Sequence, residues 1–173
     1  MPLLLVAVCL LPGVSFVVRS YPENLDGSDL SVAIAVARFN TLITERLLAG
    51  ALEGLASVGV REDRTVVAWV PGTFELPFAA QRFAESGRYD AVICLGCVIK
   101  GETDHNEYIN HATALALEDV GRQTGVAAIF GVVTVNSLEQ ALARAEEGST
   151  NKGYESAMAA VTMAHLRRRL AEG

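Results

Sequence analysis

His105 follows directly on Lys100-Gly101-Glu102-Thr103-Asp104. Histidine is the one side chain that takes up and gives back a proton near neutral pH without a shifted pKa. Around it stand residues able to hold an anion. Lys100 brings charge, Thr103 a hydroxyl and Gly101 an open backbone angle, and a helix that Thr103 or Asp104 can cap brings free N–H groups. An imidazole beside a bound phosphate can carry protons while the phosphate departs. The competing reading is a capping or surface histidine.

Other residues fit a site for a planar ring. Phe39, in Arg38-Phe39-Asn40, can stack on such a ring or close the core. Pro71 and Gly72 make a tight turn, and the N–H groups that follow at Thr73, Phe74 and Glu75 can meet a carbonyl or an anion. Glu75 is either a first-turn helix charge or a ligand contact. Phe130 is core or a second stacking surface. Arg144 and Lys152 flank AEEGSTN. Both could be solvated, though the stem of Arg144 can pack among Ala141, Leu142 and Ala145 while its head reaches an anion. His111 and His165 read as structural. Cys94 and Cys97 form C-x-x-C inside an apolar run, with no second ligand pair. Cys94 therefore reads as a buried thiol, and no metal is implied.

The elements that must position these residues alternate. Apolar runs occupy residues 30–37, 65–70, 90–99 and 126–135, apolar at successive positions, as in parallel strands covered on both faces. Between them lie helical patterns. The first follows Asn40 or Thr41 and ends near Gly59, with Leu48, Leu52 and Leu55 on one face. The second starts at Leu76 with Pro77 in its first turn and ends at Gly87. The third spans about residues 106–122, with Ile109, Ala112, Ala116 and Val120 aligned. The fourth opens on Ser137 with Gln140 as a capping box. The fifth spans about residues 152–171, with Met163, Leu166 and Leu170 inward. Alternation of this kind predicts an α/β fold with a parallel sheet and right-handed crossovers. Ligands then bind outside the carboxyl ends of the strands. Phe39, Thr73 and His105 all follow such ends.

The totals narrow the function. A chain of 173 residues with net charge −6 and no basic stripe is one acidic domain unsuited to nucleic acid. No G-x-G-x-x-G follows the first strand of the domain, and no P-loop occurs, which argues against dinucleotide and NTP chemistry. Arg167, Arg168 and Arg169 are expected to favour the negative end of a terminal helix. Residues 1–29 read as an N-terminal extension of uncertain structure, and residues 30–173 as the domain. The apolar opening has no Lys or Arg before it and is broken by Pro12 and Gly13. It reads as a packed or disordered extension ahead of a false start, and as a signal last. No membrane role is expected.

Four motifs in order, ARFN, VPGTFELP, GCVIKGETDHNEY and RAEEGSTNKG, resemble those of the lumazine synthases. The likeness runs from about residue 31 to 170. It implies a three-layer, flavodoxin-like sandwich with a four-stranded parallel sheet, and a cytoplasmic transferase of riboflavin biosynthesis that needs no cofactor or metal. It also implies the reaction: 5-amino-6-(D-ribitylamino)uracil and 3,4-dihydroxy-2-butanone 4-phosphate condense to 6,7-dimethyl-8-ribityllumazine, phosphate and water. By the same resemblance, Phe39, Thr73, Phe74, Glu75, Cys97, Val98, Ile99 and Phe130 meet the pyrimidine and its ribityl chain. Glu102, Thr103, Arg144 and Lys152 belong to the phosphate, and His105 moves protons. Phe130, Arg144 and Lys152 would serve a neighbouring subunit in a homopentamer. That pentamer is compatible with an icosahedral shell of twelve pentamers, and riboflavin synthase is a candidate pathway partner. Two positions depart from the pattern: Asn106 stands where many members have an aromatic residue, and Lys100 where many have Arg. Competing readings are a non-catalytic flavin or pteridine binder, a structural shell protein and, remotely, a receiver domain, which would want acids where Arg38 and Lys100 stand.

Overall fold

A computed structural model describes residues 5–11 and 14–172, with side chains from Ser20 onward. Strands β1 (Leu5–Leu11) and β2 (Val14–Ser20) pair antiparallel, Leu5 opposite Ser20 and Leu11 opposite Val14. This antiparallel pair has no counterpart among the elements expected from sequence.

The rest alternates as expected: β3 (Val32–Ala37), α1 (Thr41–Ser57), β4 (Thr65–Val70), α2 (Leu76–Glu85), β5 (Ala91–Ile99), α3 (His105–Thr124), β6 (Ala127–Val135), α4 (Leu138–Arg144) and α5 (Lys152–Ala171). The four strands β3 to β6 form one parallel sheet in the order β4-β3-β5-β6. β3 and β5 lie in its middle, and β3 is buried at every position. The pleat sends Val32, Ile34 and Val36 to one face, where they meet Ile43, Leu47 and Leu55 of α1 and Ala157, Ala160 and Val161 of α5. It sends Ala33 and Ala35 to the other, under Leu76 and Ala80 of α2 and Leu117 and Val120 of α3. The result is the expected three-layer α/β sandwich.

The helix faces differ in detail from the sequence expectation. In α1 the inward residues are Ile43, Leu47, Ala51 and Leu55, while Leu52 is exposed and Leu48 half-buried. In α3, Thr113, Leu117 and Val120 are buried, whereas Ile109, Ala112 and Ala116 are half-buried. The largest correction concerns α5. Met163 and Leu170 face solvent, and the buried face is Gly153, Ser156, Ala157, Ala160, Val161 and Ala164. The reason is proximity. A Cβ on Gly153 would lie 1.8 Å from the carbonyl oxygen of Leu47, and one on Gly54 would lie 2.8 Å from Cβ of Ala157. Helices this close have room only for small residues, so large apolar side chains are pushed outward.

Arg168 and Arg169 lie in the last turn of α5, as the helix-dipole expectation requires, and they make specific contacts as well. Arg168 bonds Asp90 through Nη2 at 2.9 Å and Asp29 through Nη1. Asp90 in turn accepts from the backbone N–H of Ser31 at 2.9 Å. Arg169 donates to the carbonyl of Pro22, and His165 Nε2 lies 2.6 Å from that of Asp26. The end of α5 is thereby clasped to residues 22–31 at the amino-terminal rim of the sheet. Among the described residues no helix is long and apolar enough to cross a membrane.

Gly153→Ala should force α5 off α1 and cost about 1–3 kcal/mol or more. Gly121, inside α3, would place a Cβ no nearer than 3.8 Å to any atom. Gly121→Ala should therefore stabilise by about 0.5–1 kcal/mol. Urea unfolding of the two variants checks the contrast.

Candidate active site

The carboxyl ends of β3, β4 and β5 converge on a cleft of about 690 Å³, a size suited to a small molecule. Three turns build it. The first follows β3, where Asn40 adopts φ 61°, the only positive φ outside glycine among the described residues. Asparagine tolerates this left-handed conformation better than most residues. Its Nδ2 donates to the carbonyl of Cys97 at 2.9 Å, tying the end of β3 to the end of β5. The turn throws Phe39 outward, 69% exposed, which rules out the core-closing reading. Arg38 leaves the cleft, its guanidinium lying 5.4 Å from the centre of the Trp69 ring on β4.

The second turn follows β4. Glu75 accepts from the N–H of Gly72 at 2.9 Å and returns its own N–H to the Gly72 carbonyl at 3.3 Å. One carboxylate oxygen thus closes the turn, so Glu75 has the local role as well as its place in the cleft lining. Gly96 in β5 lets this turn lie flat, since a Cβ there would sit 2.7 Å from Thr73 Oγ1. Thr73 is buried, and its carbonyl is 3.4 Å from Oγ1 of Thr113 on α3. Phe74 is exposed at the cleft.

The third turn joins β5 to α3. Asp104 occupies the N-cap position without a side-chain cap bond. The first-turn amides are thus not capped by a side chain, and His105 is the first residue of the helix, exposed and in the lining. Thr103 and Gly101 join it there. Lys100 and Glu102, exposed in the same turn, are not among the lining residues.

Cys97, Val98 and Ile99 complete the wall. Both thiols of β5 are covered. Burial pushes Cys94 up to about 12 and Cys97 up to about 11, so neither is a nucleophile at neutral pH.

Phe130, Arg144 and Lys152 lie elsewhere, in a second pocket of about 350 Å³ between β6, the end of α4 and the start of α5. Ser137 caps α4 by accepting from the N–H of Gln140 at 3.3 Å, while the Gln140 side chain accepts from Asn136, one residue before the expected position. Arg144 donates to the carbonyl of Gln140 at 2.9 Å and has no carboxylate partner among the described residues. Lys152 is paired with Glu155 at 2.6 Å. Of the two cations, Arg144 is the one left for an outside anion. Sequence reasoning missed Glu155, although its i,i+3 spacing from Lys152 carries the signal. It also missed Asn106 and Tyr108 as lining residues.

An all-parallel four-stranded sheet with a ligand-sized cleft at its carboxyl rim defines an α/β protein built to handle a small molecule. More narrowly, the chain belongs to the 6,7-dimethyl-8-ribityllumazine synthase family, whose model matches residues 29–168. Membership places it among the transferases of riboflavin biosynthesis.

The raised thiol values set a pH limit. A group with a raised folded pKa supports the fold fully below its unfolded value, near 9 here, and that support fades as pH climbs toward 11. Unfolding free energy should fall above pH 9 by up to about 1.4 kcal/mol per pH unit for each thiol. Urea titrations at pH 8 and pH 10 should show the drop, and a Cys94→Ala, Cys97→Ala double variant should flatten it.

Proposed function

We propose that this protein condenses 5-amino-6-(D-ribitylamino)uracil with 3,4-dihydroxy-2-butanone 4-phosphate to form 6,7-dimethyl-8-ribityllumazine, phosphate and water. The observation that carries the reading is the division of residues between two pockets. The cleft holds the aromatic, the turn amides and the histidine, and the second pocket holds a phenyl ring with an unpaired guanidinium. Each is half of what the condensation needs.

We infer that a homopentamer joins the halves, setting Phe130 and Arg144 of one subunit against the cleft of the next. Exposed Phe39, Phe74, Phe78, Tyr108 and Leu115 fit a chain that buries more surface on assembly. A closed shell of twelve pentamers and contact with riboflavin synthase are extensions of the same reading, as are action in the cytoplasm and a separate extension over residues 1–29.

In this reading the pyrimidine lies on Phe39, along Val98 and Ile99, with Thr73, Phe74 and Glu75 over its ribityl chain and Cys97 beneath. The phosphate rests between Arg144, the turn at Glu102 and Thr103, and the uncapped start of α3, with Lys152 close by. The amine attacks the ketone and expels water to give an imine, phosphate leaves, the resulting enol tautomerises to a ketone, and the ribitylamino nitrogen attacks that carbonyl and expels a second water as the ring closes. His105 takes and returns protons. Holding two reactants in register contributes up to about 7–11 kcal/mol in well-oriented systems, so positioning carries much of the rate. Arg144 favours the departing phosphate.

His105→Ala should lower kcat by at most the roughly 10²-fold typical of modest general acid–base catalysis, and turnover should persist. Lumazine formation, followed by its fluorescence, gives the answer, and unchanged turnover removes His105 from the mechanism. Arg144→Ala should raise KM for the ketone phosphate about 10- to 100-fold, as expected for loss of a charged hydrogen bond. A wild-type KM would refute that role. Absence of any lumazine from the unaltered protein would favour a non-catalytic pteridine binder.

A further inference from the structure

Asn106 and Asn110 stand one turn apart on α3, on the stripe that continues through Thr113, Leu117 and Val120. The last three are buried, and Leu117 and Val120 pack into the core beneath α2 and α3. At both asparagines the side-chain Oδ1 is buried and meets no protein donor. A buried amide oxygen without a donor is costly, and an apolar side chain of similar shape would escape that cost. The fold alone gives no reason for amides there. The two differ in one respect: Asn106 lines the cleft beside His105, and Asn110 does not.

We propose that Asn106 is a substrate-contacting residue, whose amide turns about its Cβ–Cγ bond when the cleft fills and accepts a hydrogen bond from the bound aminopyrimidine. The inference rests on the reaction proposed above and adds a contact to it. Rotation about that bond is soft, because the terminal torsion of asparagine has broad wells. The turn moves Oδ1 from a buried position without a protein donor to the cleft, where a ligand N–H or O–H can meet it. Chemistry selects the ligand. The ribitylaminopyrimidine carries many N–H and O–H donors, whereas the ketone phosphate is mostly acceptor. The contact would therefore discriminate the first substrate from the second, and an analogue without the donor would lose it.

The test is steady-state kinetics and thermal unfolding of the full chain in four forms: unaltered, Asn106→Leu, Asn106→Ala and Asn110→Leu. Both Asn106 variants should raise KM for the pyrimidine about three- to tenfold, the range expected for one neutral hydrogen bond. KM for the ketone phosphate should stay within about twofold, and Asn106→Leu should melt no lower than the unaltered protein. Asn110→Leu should leave both KM values within about twofold. Unchanged pyrimidine KM in the Asn106 variants would overturn the inference. So would an equal rise for both substrates, an equal effect of Asn110→Leu, or failure of both Asn106 variants to fold, each of which makes the amide structural. If the unaltered protein makes no lumazine, the reaction itself is wrong and this contact falls with it. Activity without the selective KM effect sinks the contact alone.

Discussion

The near-contact of α5 with the backbone of α1 governs one whole face of this molecule. Gly153 lies against the Leu47 carbonyl, and Gly50 leaves space for Asn151. Asn151 uses that space fully: its Nδ2 reaches the carbonyls of Arg46 and Glu146 at 3.2 and 3.0 Å, and its Oδ1 accepts from the N–H of Gly153 at 2.8 Å. One buried amide therefore starts α5, holds it to α1 and anchors the loop after α4. Arg144 and Lys152 sit on either side of that anchor, so the second pocket inherits its shape from a packing requirement.

The carboxyl rim of the sheet answers to a polar tie instead. The Asn40 bond to the Cys97 carbonyl brings two strand ends together, and Gly96 allows the turn after β4 to settle onto β5. The cleft is thus assembled from three turns whose strands are already locked in register, which leaves its side chains free to face outward. The two pockets use different elements and share only the sheet between them. One chain keeps His105 and Arg144 in separate pockets.

Much of this is legible in the order of residues. Unbroken apolar runs identify the four strands, because a strand covered on both faces has no polar alternation to confuse the reading. The rule that ligands gather at carboxyl ends then leads from β3, β4 and β5 to Phe39, Thr73 and His105 without further information. What escapes is the identity of helix faces. A stripe is expected to be marked by leucine and methionine, but in α5 the inward stripe is glycine, serine, alanine and valine, because the neighbouring helix is too close for anything larger. The inward stripe of α3 begins with two asparagines and so hides from a search for apolar periodicity. The further role of Arg168, beyond its place in the last turn of α5, escapes for a related reason. Its partners, Asp29 and Asp90, are remote along the chain, and only the folded arrangement brings them to one guanidinium.

That clasp has a practical corollary. Through Arg168, the last turns of the terminal helix are fastened to Asp29 just ahead of the first strand of the sheet, at the rim facing away from the cleft. The two ends of the catalytic fold are close neighbours in space. A short peptide could bridge them, and new ends could be opened in a surface loop, yielding a circularly permuted enzyme. Cargo joined after α5 would emerge at the rim opposite the cleft.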